Sequence, residues 1–505
     1  VRSFLPYVLL YALAALVRIA YASAVTFPPL DDPAYYLKVA ENLAEGKGLY
    51  IEAIWSYLYP FESVGHPSNE YWMPLASLVY APLFALFGSS FKIAQWSGLL
   101  MGAAISPITY YIAINHLPSN KSILALTAGT LMALSPLLSY QAVSADSALP
   151  FSLLALTSIL LLSDGPRISR PKLFLGGILA GLSYLARNDG IILIGSVIGY
   201  YLFAPYPHKL NSIIFFIAGA LPLAVVWHLR QYLTFGTPFP VSSMWAVAAV
   251  DYSQLFSYSA GSPLDLLKGA DTWTLITLRL KALAHNFGVL TFALLPWGVL
   301  SIFGSIMLWK LKKFRMATVY SIIFFAVTAL IFSVPTLHGT YYHSIGGSLP
   351  FLAIFGLYAI DRAAAWTKEK LSLRADPLPV LLIALLLLTA LQLTISWPVL
   401  AKQHRAWEEK YSRLSSWLGE NGAKVVMADQ AHTLHYVTGL PTIALPASDP
   451  PEVAAEVARR YGAQYLIITE SFGLYPEAIR GIGNEHFTLA YSSPGFEVYK
   501  LKGSE

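Results

Sequence analysis

The chain has 505 residues, 56% of them hydrophobic and only 12% charged, against about a quarter charged in soluble domains; with a mean hydropathy of +0.56, this excludes an ordinary soluble protein and points to an integral membrane one. The absence of cysteine excludes disulfides and zinc–thiolate sites but leaves His and carboxylate metal sites open. The net charge of +5 decides little, because in a membrane protein the position of each Lys and Arg outweighs their sum.

The first apolar run, residues 5–25, is long enough to cross about 30 Å of hydrocarbon, which takes about 20 residues. It lacks a small-residue cleavage site and reads as an anchor rather than a signal peptide. Directly after it comes "PPLDDPAYYLKVAENLAEGKGLY", residues 28–50. Asp32 followed by Pro33 predicts a helix start, with Asp32 as N-cap, Pro33 at the first helical position and Gly46 just past the end. Capping accounts for Asp32 and leaves Asp31 unexplained. Two neighbouring acids beside an apolar surface repel and raise one pKa, which suits a general base or a cation ligand.

In "GHPSNEYW", His66 and Glu70 are spaced i, i+4, but Pro67 between them argues against a helical metal pair and favours acceptor or loop contacts. The segment "PLASLVYAPLFALFG", residues 74–88, holds 15 residues and two prolines. As a helix it reaches only about 22 Å, so it reads as interfacial or re-entrant. Ten further apolar runs follow, near residues 94–116, 122–141, 147–163, 173–187, 190–204, 211–229, 287–309, 316–335, 344–361 and 377–398, which makes eleven spans in all.

With the N-terminus inside, the basic loops fall on one side: Lys121; Arg167, Arg170 and Lys172; Lys209; Lys310, Lys312, Lys313 and Arg315; Arg362, Lys368, Lys370 and Arg374. That agrees with the positive-inside rule. The other face carries "LDDPAYY", "GHPSNEYW", "VSAD", "ARNDG", "WHLRQYLTFGTPFP" and "PTLHGTYYHS". Polar chemistry therefore gathers outside. Arg187, beside Asn188 and Asp189, and Arg230 sit at outer span ends, where a guanidinium either binds phosphate oxygens or snorkels to headgroups. Asp146 either caps the helix after it or contacts a ligand. His338, Tyr341, Tyr342 and His343 form a set of donors, with aromatic-belt packing as the alternative for the tyrosines. An outer loop over 231–286 is long enough to be functional and is expected to be a partly mobile lid.

Residues 399–505 change character. The order helix ("WEEKYSRLSSWLGENG"), strand ("KVVMA"), helix or turn ("QAHTLHYVTG"), strand ("TIAL"), helix ("PPEVAAEVARRYG"), strand ("AQYLIIT") and two last strands ("FTLAYSS", "FEVYKLK") predicts a small α/β domain with a partly parallel sheet. An odd number of spans puts it outside. His432 and His435 read as ordinary surface or sheet residues. The expected division is a transmembrane domain over 1–398, with a first outer loop over 26–93, and an extracytoplasmic domain over 399–505.

The stretches "DDPAYYLKVAENLAEGKGL", "YWMPLASLVYAPLFALFG", "SADSALPFSLLALTSILLL", "LGGILAGLSYLARNDGIILI" and "WHLRQYLTFGTPFP" resemble, in order, the GT-C glycosyltransferases of the protein O-mannosyltransferase and aminoarabinose transferase branch. They cover most of residues 1–240; "GTYYHSIGGSLPFLAIFGLYAI" and the C-terminal domain match more loosely. The resemblance implies a polytopic helical GT-C fold with a small C-terminal α/β domain, in the plasma membrane. It also implies transfer of a sugar from a polyprenyl-phosphate donor to an acceptor hydroxyl on a protein, glycolipid or glycan, with no nucleic-acid partner. The family's catalytic Asp falls on Asp32 when counted back from Leu37, the preferred match, and on Asp31 when the acidic pair is matched as a unit. Arg187, Arg230, His338, Tyr341 and His343 are the candidate donor-phosphate ligands. Tyr35, His66, Glu70, Asp146 and Asp189 are candidate acceptor or sugar contacts. Oligosaccharyltransferase relatives use a divalent cation and the mannosyltransferase-like branch need not, so Asp31, Asp32 and Asp146 are left as a candidate seat for Mg or Mn. A transporter or flippase is the competing class; it calls for inverted repeats and charged mid-membrane helices, which the sequence does not display.

Overall fold

The computed structural model describes residues 4–163, 168–203, 209–259, 261–469 and 485–503; Arg167 lies outside them. Six helices are long and apolar enough to cross a membrane: Leu5–Ala24, Phe91–His116, Lys209–Phe235, Lys312–Leu330, Leu349–Lys370 and Leu378–Glu420. Two bent pairs, Lys121–Leu134 with Pro136–Val143 (46°) and Thr272–Leu294 with Trp297–Leu308 (109°), raise the number to eight among the described residues. The remaining three of the eleven expected runs form helices of 15, 17 and 14 residues, Ala148–Leu162, Arg170–Ala186 and Gly190–Phe203. All three fall short of the roughly 20 residues a straight span takes. Leu75–Phe87 is likewise a short helix, of 13 residues.

The chain divides into two compact units. One comprises Val1–Val25, Ala94–Leu229 and Arg279–Ala401; the other comprises Thr26–Ile93, Arg230–Leu278 and Lys402–Glu505. The first is the helical one. Its bend at Ser135 has a local cause: Pro136 brings no N–H to the helix, and Ser135 restarts the ladder by accepting a hydrogen bond from the Leu138 amide. The carbonyls left behind are met by Arg18, fully buried, which donates to the oxygens of Met132 and Ala133 at 3.3 Å and of Ala14 at 3.0 Å. A buried cation is thus spent on backbone that the break would otherwise leave unsatisfied.

The second unit is built on a six-stranded sheet. In chain order the strands are β1 (Tyr50–Ile51), β2 (Ala53–Ile54), β3 (His66–Pro67), β4 (Val426–Ala428), β5 (Thr442–Ala444), β6 (Tyr465–Thr469), β7 (Phe487–Ser493) and β8 (Phe496–Leu501). The sheet runs β2-β5-β4-β6-β8-β7, while β1 and β3 form a separate antiparallel pair. The contacts β2/β5, β5/β4 and β4/β6 are parallel and the last two antiparallel. The helices Ala431–Thr438 and Pro451–Tyr461 make the crossovers. Residues 424–469 and 485–502 thus adopt the expected α/β pattern. What the sequence did not foretell is β2: a strand from the segment 26–93 extends the sheet formed by the C-terminal segment, Ala53 opposite Thr442 and Ile54 opposite Ile443.

The last long helix, Leu378–Glu420, runs 43 residues through Pro398 without a break. Its far end carries Tyr411, Leu414 and Leu418 into a core with Phe27, Val426, Leu434, Ile467 and Val498. The segment 231–286 is not a bare loop. It contains the helices Ser243–Ala248 and Pro263–Gly269 and a 3-10 turn, Tyr252–Phe256. Buried Asp449 accepts hydrogen bonds from the Tyr258 amide (2.6 Å), the Ser257 hydroxyl (3.2 Å) and the Ser259 amide (3.3 Å), which fixes its middle.

Candidate active site

The Asp32–Ala44 helix begins one residue earlier than expected. Asp32 is its first helical residue, Pro33 follows, and the flanking N-cap position belongs to Asp31. Asp31 makes no side-chain capping bond. Its backbone has φ +59° and ψ −82°, a left-handed conformation that a non-glycine residue adopts at a cost of about 1–3 kcal/mol. The carbonyl of Asp31 accepts the Tyr35 amide at 2.9 Å, and its amide donates to the Thr433 hydroxyl at 2.7 Å. One carboxylate oxygen, Oδ1, is closed off from solvent without a hydrogen-bond partner; the Trp55 indole bonds to the carboxylate. Burial first, then Asp32, then Asp429, push the Asp31 carboxyl well above the usual range. The charge thus belongs to a held, desolvated carboxyl rather than to a helix cap.

Groups from four parts of the second unit surround this position. Asp429, at the carboxyl end of β4, is buried; its Oδ2 accepts from the Thr469 amide (2.7 Å) and hydroxyl (3.0 Å), and its Oδ1 has no partner. Burial raises it to about 7. Tyr252 is close enough to both Asp31 and Asp32 for their charges to raise it further, after burial. His432 packs against the rings of Tyr35 (4.8 Å) and Trp72 (5.0 Å), which also touch each other (4.5 Å), with both its nitrogens buried and unpartnered. Burial, with His435 and His66 nearby, keeps it well below its usual pKa, hence neutral. The expectation that His432 and His435 sit at the surface or in a sheet is corrected: both are buried, on the helix Ala431–Thr438. His435 is satisfied by the Leu440 carbonyl.

The other candidates in this unit are held by the fold. Tyr35 is fully buried, its hydroxyl accepting the Asn69 amide at 2.6 Å. His66 stacks on Phe61 with ring centroids 3.7 Å apart, and both its nitrogens face backbone carbonyls, of Pro67 and Ala53. Glu70 is completely buried with neither oxygen bonded. Arg230 donates to the Ser68 carbonyl (2.7 Å) and to Gln231 (2.6 Å), with its guanidinium over the Phe235 ring. It is engaged with the segment 68–70.

In the helical unit the structure does bring Asp146, Arg187, Asp189 and His343 together. Arg187 Nε donates to Asp189 (3.0 Å) and Ser344 (2.9 Å), and Nη1 to Ser147 (3.0 Å). Ser344 donates to Asp189 at 2.5 Å, and His343 Nδ1 lies 2.8 Å from Asp146 Oδ2. The turn carrying Arg187–Asp189 closes on Gly190, where a Cβ would come within 2.4 Å of the Tyr184 backbone. Tyr341 is buried against Phe324 and Phe325, and His338 bonds the Val334 carbonyl. A guanidinium, an imidazole and two hydroxyls in one cluster form a set of donors suited to phosphate oxygens.

Among the described residues no three His, Cys, Asp or Glu side chains gather as a metal-holding group, and the proposed Asp31, Asp32 and Asp146 are divided between the two units. Sequence reading missed Thr433 and Asp429. The one signal for them was their place directly after a strand in a βαβ pattern, where α/β folds put ligand-facing groups.

Residues 66–229 match the family model of dolichyl-phosphate-mannose-protein mannosyltransferase. Comparison with curated proteins gives no match. Among solved structures, ArnT from Cupriavidus metallidurans bound to undecaprenyl phosphate is similar with a TM-score of 0.60 at 13% identity, covering 99% of this chain and 99% of that one. The archaeal oligosaccharyltransferase AglB from Archaeoglobus fulgidus, in complex with an inhibitory peptide and a dolichol-phosphate, gives 0.57 at 13% identity, over 92% of this chain and 69% of that one. The fold is that of the GT-C membrane glycosyltransferases.

Proposed function

We propose that the protein is an inverting glycosyltransferase that moves one sugar from a polyprenyl-phosphate donor to an acceptor hydroxyl on the outer side of the membrane. The N-terminus is then cytoplasmic and the C-terminal segment extracytoplasmic, as the distribution of basic loops supports. In the reaction the acceptor oxygen attacks the anomeric carbon from the face opposite the phosphate. The bond from that carbon to the phosphate oxygen breaks, its electrons stay on the phosphate, and the acceptor proton passes to a carboxylate. A phosphate leaves without a strong acid, so the protein must supply one base and a set of donors for the phosphate.

The observation that carries this reading is Asp31: a carboxylate held in a strained backbone, not used as a cap, with one oxygen unpartnered. We assign it as the base, with Asp32 as the neighbour that helps keep its proton affinity high. Arg187, Ser147, Ser344 and His343 are assigned to the donor phosphate. The polyprenyl phosphates bound to ArnT and AglB support that class of donor. The family match favours a hexose such as mannose, and a protein, glycolipid or glycan as acceptor.

The test is transfer of labelled sugar by purified protein from synthetic polyprenyl-phosphate mannose, glucose, arabinose and aminoarabinose. Asp31→Asn is expected to lose at least about a hundredfold in kcat, the range of general-base removal, with donor binding retained, and Asp32→Asn to lose less. Full activity in Asp31→Asn refutes the assignment, and no wild-type transfer from any donor refutes the function.

A further inference from the structure

The strand order β5-β4-β6 has a consequence for the catalytic loop. From β4 the chain crosses to β5 on one side and returns past β4 to β6 on the other. That reversal makes the carboxyl ends of β4 and β6 a topological switch point, the crevice where open α/β sheets receive ligands. Asp429 follows β4 and bonds Thr469 at the end of β6, and Thr433 stands one helical turn further on. Here the group received is part of the same chain: the Asp31 amide, 402 residues distant in sequence, donates to the Thr433 hydroxyl at 2.7 Å.

We propose that Thr433 is a positioning residue for Asp31: its buried hydroxyl, delivered by the C-terminal segment, holds the Asp31 backbone in its left-handed conformation and so aims the carboxylate. This rests on the assignment of Asp31 as the base. Thr433 is fully buried, and Asp31 is among six described non-glycine residues with positive φ. A strained conformation persists only where its surroundings over-determine it. The Asp31 carbonyl is fixed by Tyr35, which sets one side of the residue; the Thr433 hydroxyl sets the other. Without it the Asp31 amide has no partner to draw it from the more favourable conformations with negative φ. The C-terminal α/β segment is therefore part of the catalytic apparatus.

Thr433→Val keeps the shape and removes the acceptor, and Thr433→Ser keeps the acceptor. With the donor that supports wild-type transfer, Thr433→Val is expected to lower kcat by about ten- to a hundredfold, the range for leaving one buried donor unsatisfied, with KM for the donor within about twofold. Thr433→Ser is expected to stay within about threefold of wild type. Hydrogen exchange at the Asp31 amide, read without any substrate, should quicken about tenfold or more in Thr433→Val and not in Thr433→Ser. A wild-type kcat in Thr433→Val, unchanged exchange at Asp31, or equal losses in the two variants overturns the inference while Asp31→Asn still abolishes transfer. Full transfer by Asp31→Asn overturns the base assignment and this inference together.

Discussion

Glu70 shows how far a single side chain can stand from its usual chemistry in this protein. It is wholly buried, neither oxygen is hydrogen-bonded, and burial raises its carboxyl to about 8, offset in part by its own backbone amide and Arg230. In the unfolded chain the same group titrates near about 4.3. Between those values the folded state holds a proton that the unfolded state has lost, so stability is greatest below about pH 4.3 and falls as pH rises towards 8. Glu70→Gln removes this titration. Its thermal midpoint should decline less than that of the wild type between about pH 6 and pH 8, as followed by tryptophan fluorescence, and parallel declines would refute the shift. Asp31 belongs with Glu70 as a buried acid, but Asp31 has a neighbouring acid and a strained backbone, and Glu70 has neither. The adjacent pair "DD" made that difference legible in the sequence, whereas nothing in "SNEY" announces that Glu70 is sealed.

At the scale of elements, the segment 231–286 shows what a length argument leaves out. Its glycines, prolines and size led to a lid. The structure shows instead short helices and a middle section hung on Asp449 through three hydrogen bonds, with Tyr258 also bonded by Arg460. Asp449→Ala leaves two buried or half-buried amides and a hydroxyl without an acceptor, a loss of roughly 1–3 kcal/mol for each group left unsatisfied in the interior. Faster hydrogen exchange across residues 252–259, with the sheet strands β4 to β6 unchanged, is the expected outcome. Unaltered exchange there would mean that the segment is fixed by other contacts. Asp449 sits in "ASDPPE", where a sequence reading sees only a turn before a helix, because its partners lie about 190 residues earlier in the chain.

For the whole molecule, the sheet ties distant segments into one folding unit. β2 is an edge strand of two residues, paired along one side by β5, and the Thr442 amide donates to the Glu52 carbonyl beside it. A two-residue strand has no stability of its own. Phe27 likewise depends on Tyr411, with rings stacked 5.5 Å apart, and on the His404 imidazole that bonds its carbonyl. Ending the chain after residue 420 should therefore leave residues 26–93 open to protease, while the helical unit stays protected in detergent. Residues 26–93 as resistant as in the full chain would show that this segment folds unaided.

Apolar runs, basic loops and the period-two and period-3.6 patterns of residues 399–505 are local properties, and they determined the membrane class, the helices and the α/β character of the C-terminal segment. The acidic pair and the Arg187–Asn188–Asp189 turn were equally visible, since charge beside apolar sequence is costly and stands out. Only the tertiary structure decided that neither acid caps the helix and that Asp31 is the one held, because that depends on a left-handed backbone at Asp31 and on a hydroxyl supplied from residue 433. It also decided that Arg230 serves the segment 68–70, and that a strand at residues 53–54 completes a sheet begun nearly 400 residues later. Hydrogen bonds across such separations leave no periodic trace in a single sequence, because each partner taken alone is an ordinary Thr, Asp or Ile.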